Sequence, residues 1–312
     1  MSLWLSVPLR LLLLGLGLLS FCLPRGAELR LGPAVGRLMF RLGFFKRKTV
    51  LENLRHCFPE LTSKELRRLA IRNFEHYGIL FFEYLHFFAP VRGHYRDYVS
   101  RHARLHGLER WKKAHAKGKG VIFVACHLGH WEMLASAGGM AGIPLTIVTK
   151  VLKPRWLHDQ ITAARLSTGV AAAHEPGSAP VILRALRRGG SVAFMNDQYT
   201  KPPMGLLVRF FGVKVGTLSV AGTLARRTGA AVLPTYTYRD AEGICHVVIE
   251  PEMSLARDRD TPEAATQAVS DKVEQWVRRH PTQWLWMHRR FKNVTWPVPE
   301  LTPAAGPRPA YP

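Results

Sequence analysis

The period of the apolar pattern changes after Gly118, and that change constrains the fold more than any other feature of this 312-residue chain. Val121 to Ala125 is a short apolar, β-branched run, the signature of a strand buried on both faces. Trp131 to Gly142 then follows at helical spacing, and Leu145 to Thr149 is the next strand. The same alternation continues with helices at 154–167 and 178–188, and a strand at 191–195. A helix at 217–228 precedes strands at 231–238 and 244–250, which the Asp240 to Gly243 turn can join as a hairpin. Thr261 to Arg279 closes the pattern as a helix with Pro262 in its first turn. Strands alternating with helices predict an α/β fold, with a mixed central sheet flanked by helices.

The amino-terminal part reads differently. Residues 2 to 23 are almost wholly apolar, interrupted by Pro8 and Arg10. The unbroken stretch from Leu11 is short for a membrane span; counted from Leu3 it is long enough if Arg10 reaches an interface. No small-x-small cleavage site follows, so an uncleaved anchor over 1–24 is expected, against a signal peptide or an interfacial helix. Arg25, Arg30, Arg37, Arg41, Lys46, Arg47 and Lys48 come next, and by the positive-inside rule they keep the downstream chain cytoplasmic. Thr62 to Glu65 is a capping box opening a long helix to about Phe88. Its apolar second half fits either a buried core helix or one against lipid. Residues 25–90 thus read as a basic, amphipathic, membrane-associated part of a unit running to 295. Residues 296–312 read as a proline-rich disordered tail.

The formal charge is +22, with 44 Lys and Arg against 22 Asp and Glu. A polyanionic partner follows: nucleic acid, an anionic membrane, or an acidic protein or substrate. No helix-turn-helix, zinc-finger or RNP signature supports nucleic acid. Cys22, Cys57, Cys126 and Cys245 are too widely spaced for a zinc ribbon or redox pair, and read as reduced, packed thiols.

The chemistry gathers at Cys126-His-Leu-Gly-His-Trp-Glu132, directly after the strand at 121–125. His127 therefore stands at the carboxyl end of a strand, where open α/β sheets bind ligands. A turn through Gly129 lets Glu132 fold back toward the imidazole. A carboxylate on one ring nitrogen fixes the tautomer, leaving the other to take a proton from a hydroxyl. No serine or cysteine stands where a triad would need it, so the pair suits direct attack by an alcohol on an activated acyl group. Two other readings stay open: His127, His130 and Glu132 as metal ligands, although H-E-x-x-H is absent, or a histidine that only caps the turn.

The segment His127 to Glu132 resembles the H-x4-[DE] motif of glycerolipid and lysophospholipid acyltransferases, and most closely the lipid A late (lauroyl/myristoyl) acyltransferase branch. Glu52 to Glu60, Arg165-Leu-Ser-Thr-Gly169, Arg187 to Gln198, Val208 to Gly212 and Pro281 to Lys292 resemble further elements of that branch, in the same order, over roughly residues 30 to 295. His130 departs from the asparagine usual in the branch. The resemblance implies a glycerolipid acyltransferase-like fold behind the anchor, and His127 as general base with Glu132 as its orienter. It also implies a donor thioester on acyl carrier protein or coenzyme A, with no further cofactor and no metal. The acceptor would be a hydroxyl on a phosphorylated glycolipid such as a lipid A precursor, at an anionic cytoplasmic (inner) membrane. Arg165 is the candidate contact to an oxyanion or phosphate. Asp197 and Gln198 are candidate partners of sugar or phosphopantetheine groups, and Lys150, Lys153 and Arg155 of acceptor phosphates. The Trp284-Leu-Trp286 segment is read as structural and interfacial. Acylation of a glycerophospholipid, mannolipid or aminolipid is the nearest alternative, and a nonenzymatic basic membrane-binding protein a more distant one.

Overall fold

A computed structural model describes residues 3–255 and 261–296. Four helices come first: α1 (Leu3–Cys22), α2 (Arg25–Arg41), α3 (Arg47–Cys57) and α4 (Ser63–Leu85). The Thr62 capping box is present: its hydroxyl accepts from the Glu65 N–H and the Glu65 carboxylate accepts from the Thr62 N–H. α2 lies against α4 with almost no separation, because a Cβ on Gly78 would overlap the Gly32 carbonyl. Most of 79–88 is buried, including Leu80, Glu83, Leu85, Phe87 and Phe88, while Phe81 faces outward. This helix is therefore largely a core helix. Among the described residues, no helix is long and apolar enough to cross a membrane.

The sheet elements follow as α5 (His94–His102), β1 (Ala103–His106), α6 (Leu108–His115), β2 (Val121–Ala125), α7 (Trp131–Met140) and β3 (Leu145–Lys150). Next come α8 (Arg155–Ser167), β4 (Val170–Glu175), α9 (Ser178–Arg187), β5 (Ser191–Met195), β6 (Gly205–Phe210) and β7 (Val213–Leu218). The series ends with α10 (Val220–Thr228), β8 (Ala231–Arg239), β9 (Cys245–Ile249) and α11 (Pro262–Arg279). Seven strands form one sheet in the order β1-β9-β8-β2-β5-β3-β4. All neighbours are parallel except β8 and β9, the expected hairpin. The fold is thus a mixed α/β sheet, mostly parallel, with helices around it. Every residue of β2 is buried, as its unbroken apolar run requires.

Four strands were not legible. β1 is four residues long, and Val170 to Glu175 is dominated by alanine. β6 and β7 form a separate antiparallel ribbon, so the helix expected from Thr217 starts at Val220. Their turn uses Phe211 at φ 49° and Gly212 at φ 79°. Two positive φ values make a type I′ turn, normally signalled by Asn-Gly or Asp-Gly rather than Phe-Gly. The four cysteines are free, three of them buried. Residues 297–312, most of the expected tail, lie outside the described residues.

Candidate active site

β2 and β5 are parallel neighbours, with Ala125 opposite Met195. Residues just past their carboxyl ends must therefore lie side by side, about 4.8 Å apart in strand spacing. The Asn196 N–H donates to the Ala125 carbonyl at 2.8 Å and continues the ladder one residue further. The next residues are His127 and Asp197. His127 Nδ1 lies 2.8 Å from Asp197 Oδ1, and the His127 backbone N–H donates to Oδ2, also at 2.8 Å. Trp284 Nε1 donates to the same Oδ2 at 2.8 Å. An ionised carboxylate only accepts, so the imidazole proton sits on Nδ1 and Nε2 presents a lone pair.

The electrostatics agree with that assignment. Burial opposes charge on both partners. It is outweighed on His127 by the field and hydrogen bond of Asp197, which raise the imidazole pKa. It is likewise outweighed on Asp197, whose pKa is lowered by His127 and by Trp284. The His127 side chain keeps 16% of its surface exposed against 1% for Asp197. The imidazole therefore meets solvent while its carboxylate does not. Gln198 Nε2 stands 3.5 Å from His127 Nε2, on the open side of the ring.

Two expected roles are corrected by this geometry. Glu132 does not hold the imidazole. Both of its oxygens accept from Arg165, Oε2 from Nε at 2.9 Å and Oε1 from Nη2 at 2.6 Å. Glu132 occupies the second position of α7, so its side chain leaves the strand end and reaches α8. Asp197 is the carboxylate on His127, and with both oxygens engaged and 2% exposure it is closed to a sugar or cofactor. Arg165 is buried in turn. Desolvation works against its charge, but the bonds and field of Glu132 hold its pKa above the ordinary value. Its Nη1 has no hydrogen-bond partner among the described residues.

The loop between His127 and α7 is fixed from two sides. Gly129 adopts φ +59°, and a Cβ there would stand 2.5 Å from the Thr237 carbonyl, so only glycine lets the loop cross β8 this closely. On the other side, Gly129 N–H donates to Gln283 O and Leu285 N–H donates to His127 O, each at 3.1 Å. The Trp-rich segment thus pairs with the loop after β2 like an added strand, with Leu128 opposite Trp284. Trp284 and Trp286 are 1% and 0% exposed. They are core residues, available neither to a membrane interface nor to stacked bases. His130 is the N-cap of α7: Nδ1 accepts from the Met133 N–H at 3.3 Å. An asparagine side chain could fill that role equally well. Burial lowers its pKa to about 4, consistent with a neutral cap.

The expected cations at the sheet edge are further out. Lys150 ends β3, two strand spacings from β2, roughly 10 Å away. Arg155 lies on the surface paired with Asp159 at 2.7 Å. Among the described residues, no cluster of three or more His, Cys, Asp or Glu is arranged to hold a metal ion. His127 and His130 turn to different partners, Asp197 and the α7 backbone.

Sequence reasoning selected Asp197 but not its role, and it missed Trp284 and Arg290 as parts of the site. The signal for Asp197 was available: two polar strand ends become neighbours once β2 and β5 are paired. Arg290 donates Nη1 to the Gln198 carbonyl at 2.8 Å and to the Gly216 carbonyl at 2.7 Å, and Nη2 to Thr217 Oγ1 at 2.6 Å.

Comparison with known proteins identifies the family. Residues 3–293 match the family model described as bacterial lipid A biosynthesis acyltransferase. The chain is 29% identical over 294 residues to the lipid A biosynthesis lauroyltransferase of Escherichia coli (strain K12), covering 92% of each. It is 28% identical over 256 residues to the lipid A biosynthesis palmitoleoyltransferase of the same strain, covering 80% of each. It is 27% identical over 246 residues to a phosphatidylinositol mannoside acyltransferase of Mycobacterium tuberculosis (strain ATCC 25618 / H37Rv), covering 74% of this chain and 76% of that one. With the family model matched over nearly the whole length, this chain belongs to the bacterial lipid A biosynthesis acyltransferases.

Proposed function

We propose that the chain moves a fatty acyl group from a thioester, on acyl carrier protein or coenzyme A, to a hydroxyl of a lipid A precursor or a similar phosphorylated glycolipid. The observation that supports this most is the His127–Asp197 pair, with Nε2 open at a strand end. Nε2 takes the acceptor's hydroxyl proton as its oxygen bonds to the thioester carbonyl carbon, and the C=O electron pair moves onto oxygen. As the tetrahedral intermediate collapses, the C–S bond breaks and the imidazolium returns the proton to the thiolate. Asp197 fixes the tautomer and stabilises the imidazolium. The Gln198 amide faces the reacting nitrogen and is placed to donate to developing negative charge. Arg165, steadied by Glu132, offers Nη1 to the oxyanion or to an acceptor phosphate.

We further propose that this reaction occurs at an anionic inner membrane, on the cytoplasmic side. α1 exposes Val7, Leu11, Leu12, Leu18, Leu19 and Phe21, and α2 exposes Leu31 and Leu38. Leu42, Phe44 and Phe45 continue the apolar surface beside Lys46, Arg47 and Lys48. Exposed apolar side chains beside basic ones suit adhesion to an anionic leaflet.

His127→Ala, assayed with acyl carrier protein or coenzyme A thioesters and a lipid A precursor, is expected to lose at least ~10³-fold in kcat. Parental turnover in that variant refutes the base assignment. Lipid mass spectrometry after gene deletion names the acceptor. An unchanged lipid A profile moves it to another lipid, such as the mannolipid implied by the name of the mycobacterial relative.

A further inference from the structure

Three buried arginines surround the site, and one is unlike the others. Arg165 is matched by Glu132, and Arg239 by Glu83. Arg290 is 1% exposed, yet among the described residues no carboxylate lies within ion-pair distance of it. Its acceptors are the carbonyls of Gln198 and Gly216 and the Thr217 hydroxyl, all uncharged. Its Nε is buried without a partner, and its guanidinium lies 5.1 Å from the Phe210 ring centroid. An uncompensated buried cation is strongly unfavourable, and burial here pushes the guanidinium pKa down to about 10. A core position filled only for packing would not need the charge.

The position of the cation indicates its use. Arg290 grips the carbonyl of Gln198, the residue whose side-chain amide faces His127 Nε2, one residue beyond Asp197. It also ties that turn to β7 through Gly216 and Thr217. Asp197 is the anion that feels its field. We propose that Arg290 is a positioning residue of the transfer reaction: it holds the 196–198 turn so that the Gln198 amide faces the reacting nitrogen, and it offsets the negative charge of Asp197 behind the imidazole. This inference rests on the reading of His127 as the base.

The offset has a direction that can be measured. The groups acting on His127 are Asp197 at the end of β5, Glu132 on α7, which is itself paired with Arg165 on α8, and His288 on the carboxyl-terminal segment, while Arg290 acts on Asp197. Tyr77 of α4 faces Asp197. Removing the Arg290 charge leaves the field of Asp197 less opposed. The imidazolium is then favoured, and the base becomes available only at higher pH. The acid limb of kcat/KM should move up.

The experiment compares Arg290→Gln and Arg290→Lys with the parent, using a fatty acyl thioester and a lipid A precursor, with thermal unfolding in parallel. In R290Q the acid limb is expected to rise by about one pH unit. kcat should fall about tenfold or more, with KM for the thioester within about twofold. R290K keeps the charge but cannot reach all three acceptors: its limb should stay with the parent while kcat falls about tenfold. A folded R290Q with an unmoved limb overturns the charge role. An R290K enzyme with parental kcat overturns the positioning role, even where R290Q does not fold. His127→Ala, run alongside, separates this outcome from the wider one. If it turns over like the parent, the base assignment has failed; if it is inactive and the Arg290 variants match the parent, only this inference has.

Discussion

Two buried carboxylates adjoin the loop that carries His127 and His130, and their surroundings could hardly differ more. Glu83 of α4 is wholly buried and accepts from Arg25 Nη2 at 2.7 Å and from two nitrogens of Arg239. Asp197 is equally buried but accepts from one histidine, one indole and one backbone N–H. Glu83 is saturated by permanent cations that no reaction can discharge. It joins α2, α4 and β8, while Arg239 also contacts His76 and Arg25 reaches the Gly243 carbonyl. Asp197 faces an imidazole whose pKa its own charge raises and which keeps an open nitrogen. A carboxylate locked between guanidiniums is therefore suited to clamping, whereas one set against an accessible imidazole is suited to proton transfer. Burial and a shifted pKa are common to both and do not distinguish them.

Four changes would break or sharpen that contrast. Asp197→Asn should cost the most activity, about 10³- to 10⁴-fold in kcat, since an amide no longer fixes the Nδ1–H tautomer. Thermal unfolding should move little beside that loss; a variant that fails by unfolding would put Asp197 in the same class as Glu83. Glu83→Gln should do the reverse. It leaves the buried Arg239 guanidinium without its anion, while Arg25 keeps Glu28, and should cost about 3–5 kcal/mol by denaturant unfolding, with kcat of the folded fraction near parental. Selective loss of kcat in a stable Glu83→Gln protein would erase the distinction.

Acid titration comes third. Burial raises the Glu83 pKa, but Arg239 and its neighbours outweigh it and bring the group to about 2, below its ordinary 4.5. A lowered carboxylate pKa gives stability that is complete above the unfolded value and is lost as pH falls toward the folded one. Stability should thus decline by about 3 kcal/mol from this group as pH drops from ~4.5 to ~2, and Glu83→Gln should flatten that part of the curve. An unaltered acid transition in the variant would show that Glu83 is not the group responsible. Smallest in effect, Gly78→Ala should destabilise by about 1–3 kcal/mol by prising α4 from α2. Denaturant unfolding reads it, and an unchanged midpoint would mean that the Gly32 contact is not needed.

The clamp was almost invisible in the sequence, because Arg25, Glu83 and Arg239 are brought together only by long-range packing. The proton-transfer corner was half legible. The apolar run of 121–125 placed His127 at a strand end, and the run of 191–195 placed Asp197 at another. What remained hidden was sheet order, which decides that β2 and β5 touch. Local spacing favoured Glu132, five residues from His127, but the α7 helix turns that side chain toward Arg165. Trp284 and Trp286 looked amphipathic as letters and are core residues in space. Arg290 stood in a run of three basic side chains, where nothing local separates the buried one from the exposed.

The pairing of 283–285 with the loop after β2 also has a consequence for synthesis. His127 is made early and Asp197 midway, but the indole that anchors Asp197 and the guanidinium that grips Gln198 arrive at positions 284 and 290. A nascent chain that has already exposed its apolar first helix still lacks the groups that hold the His127–Asp197 pair in place. The corner is thus completed only once a segment 87 residues beyond Asp197 has been made.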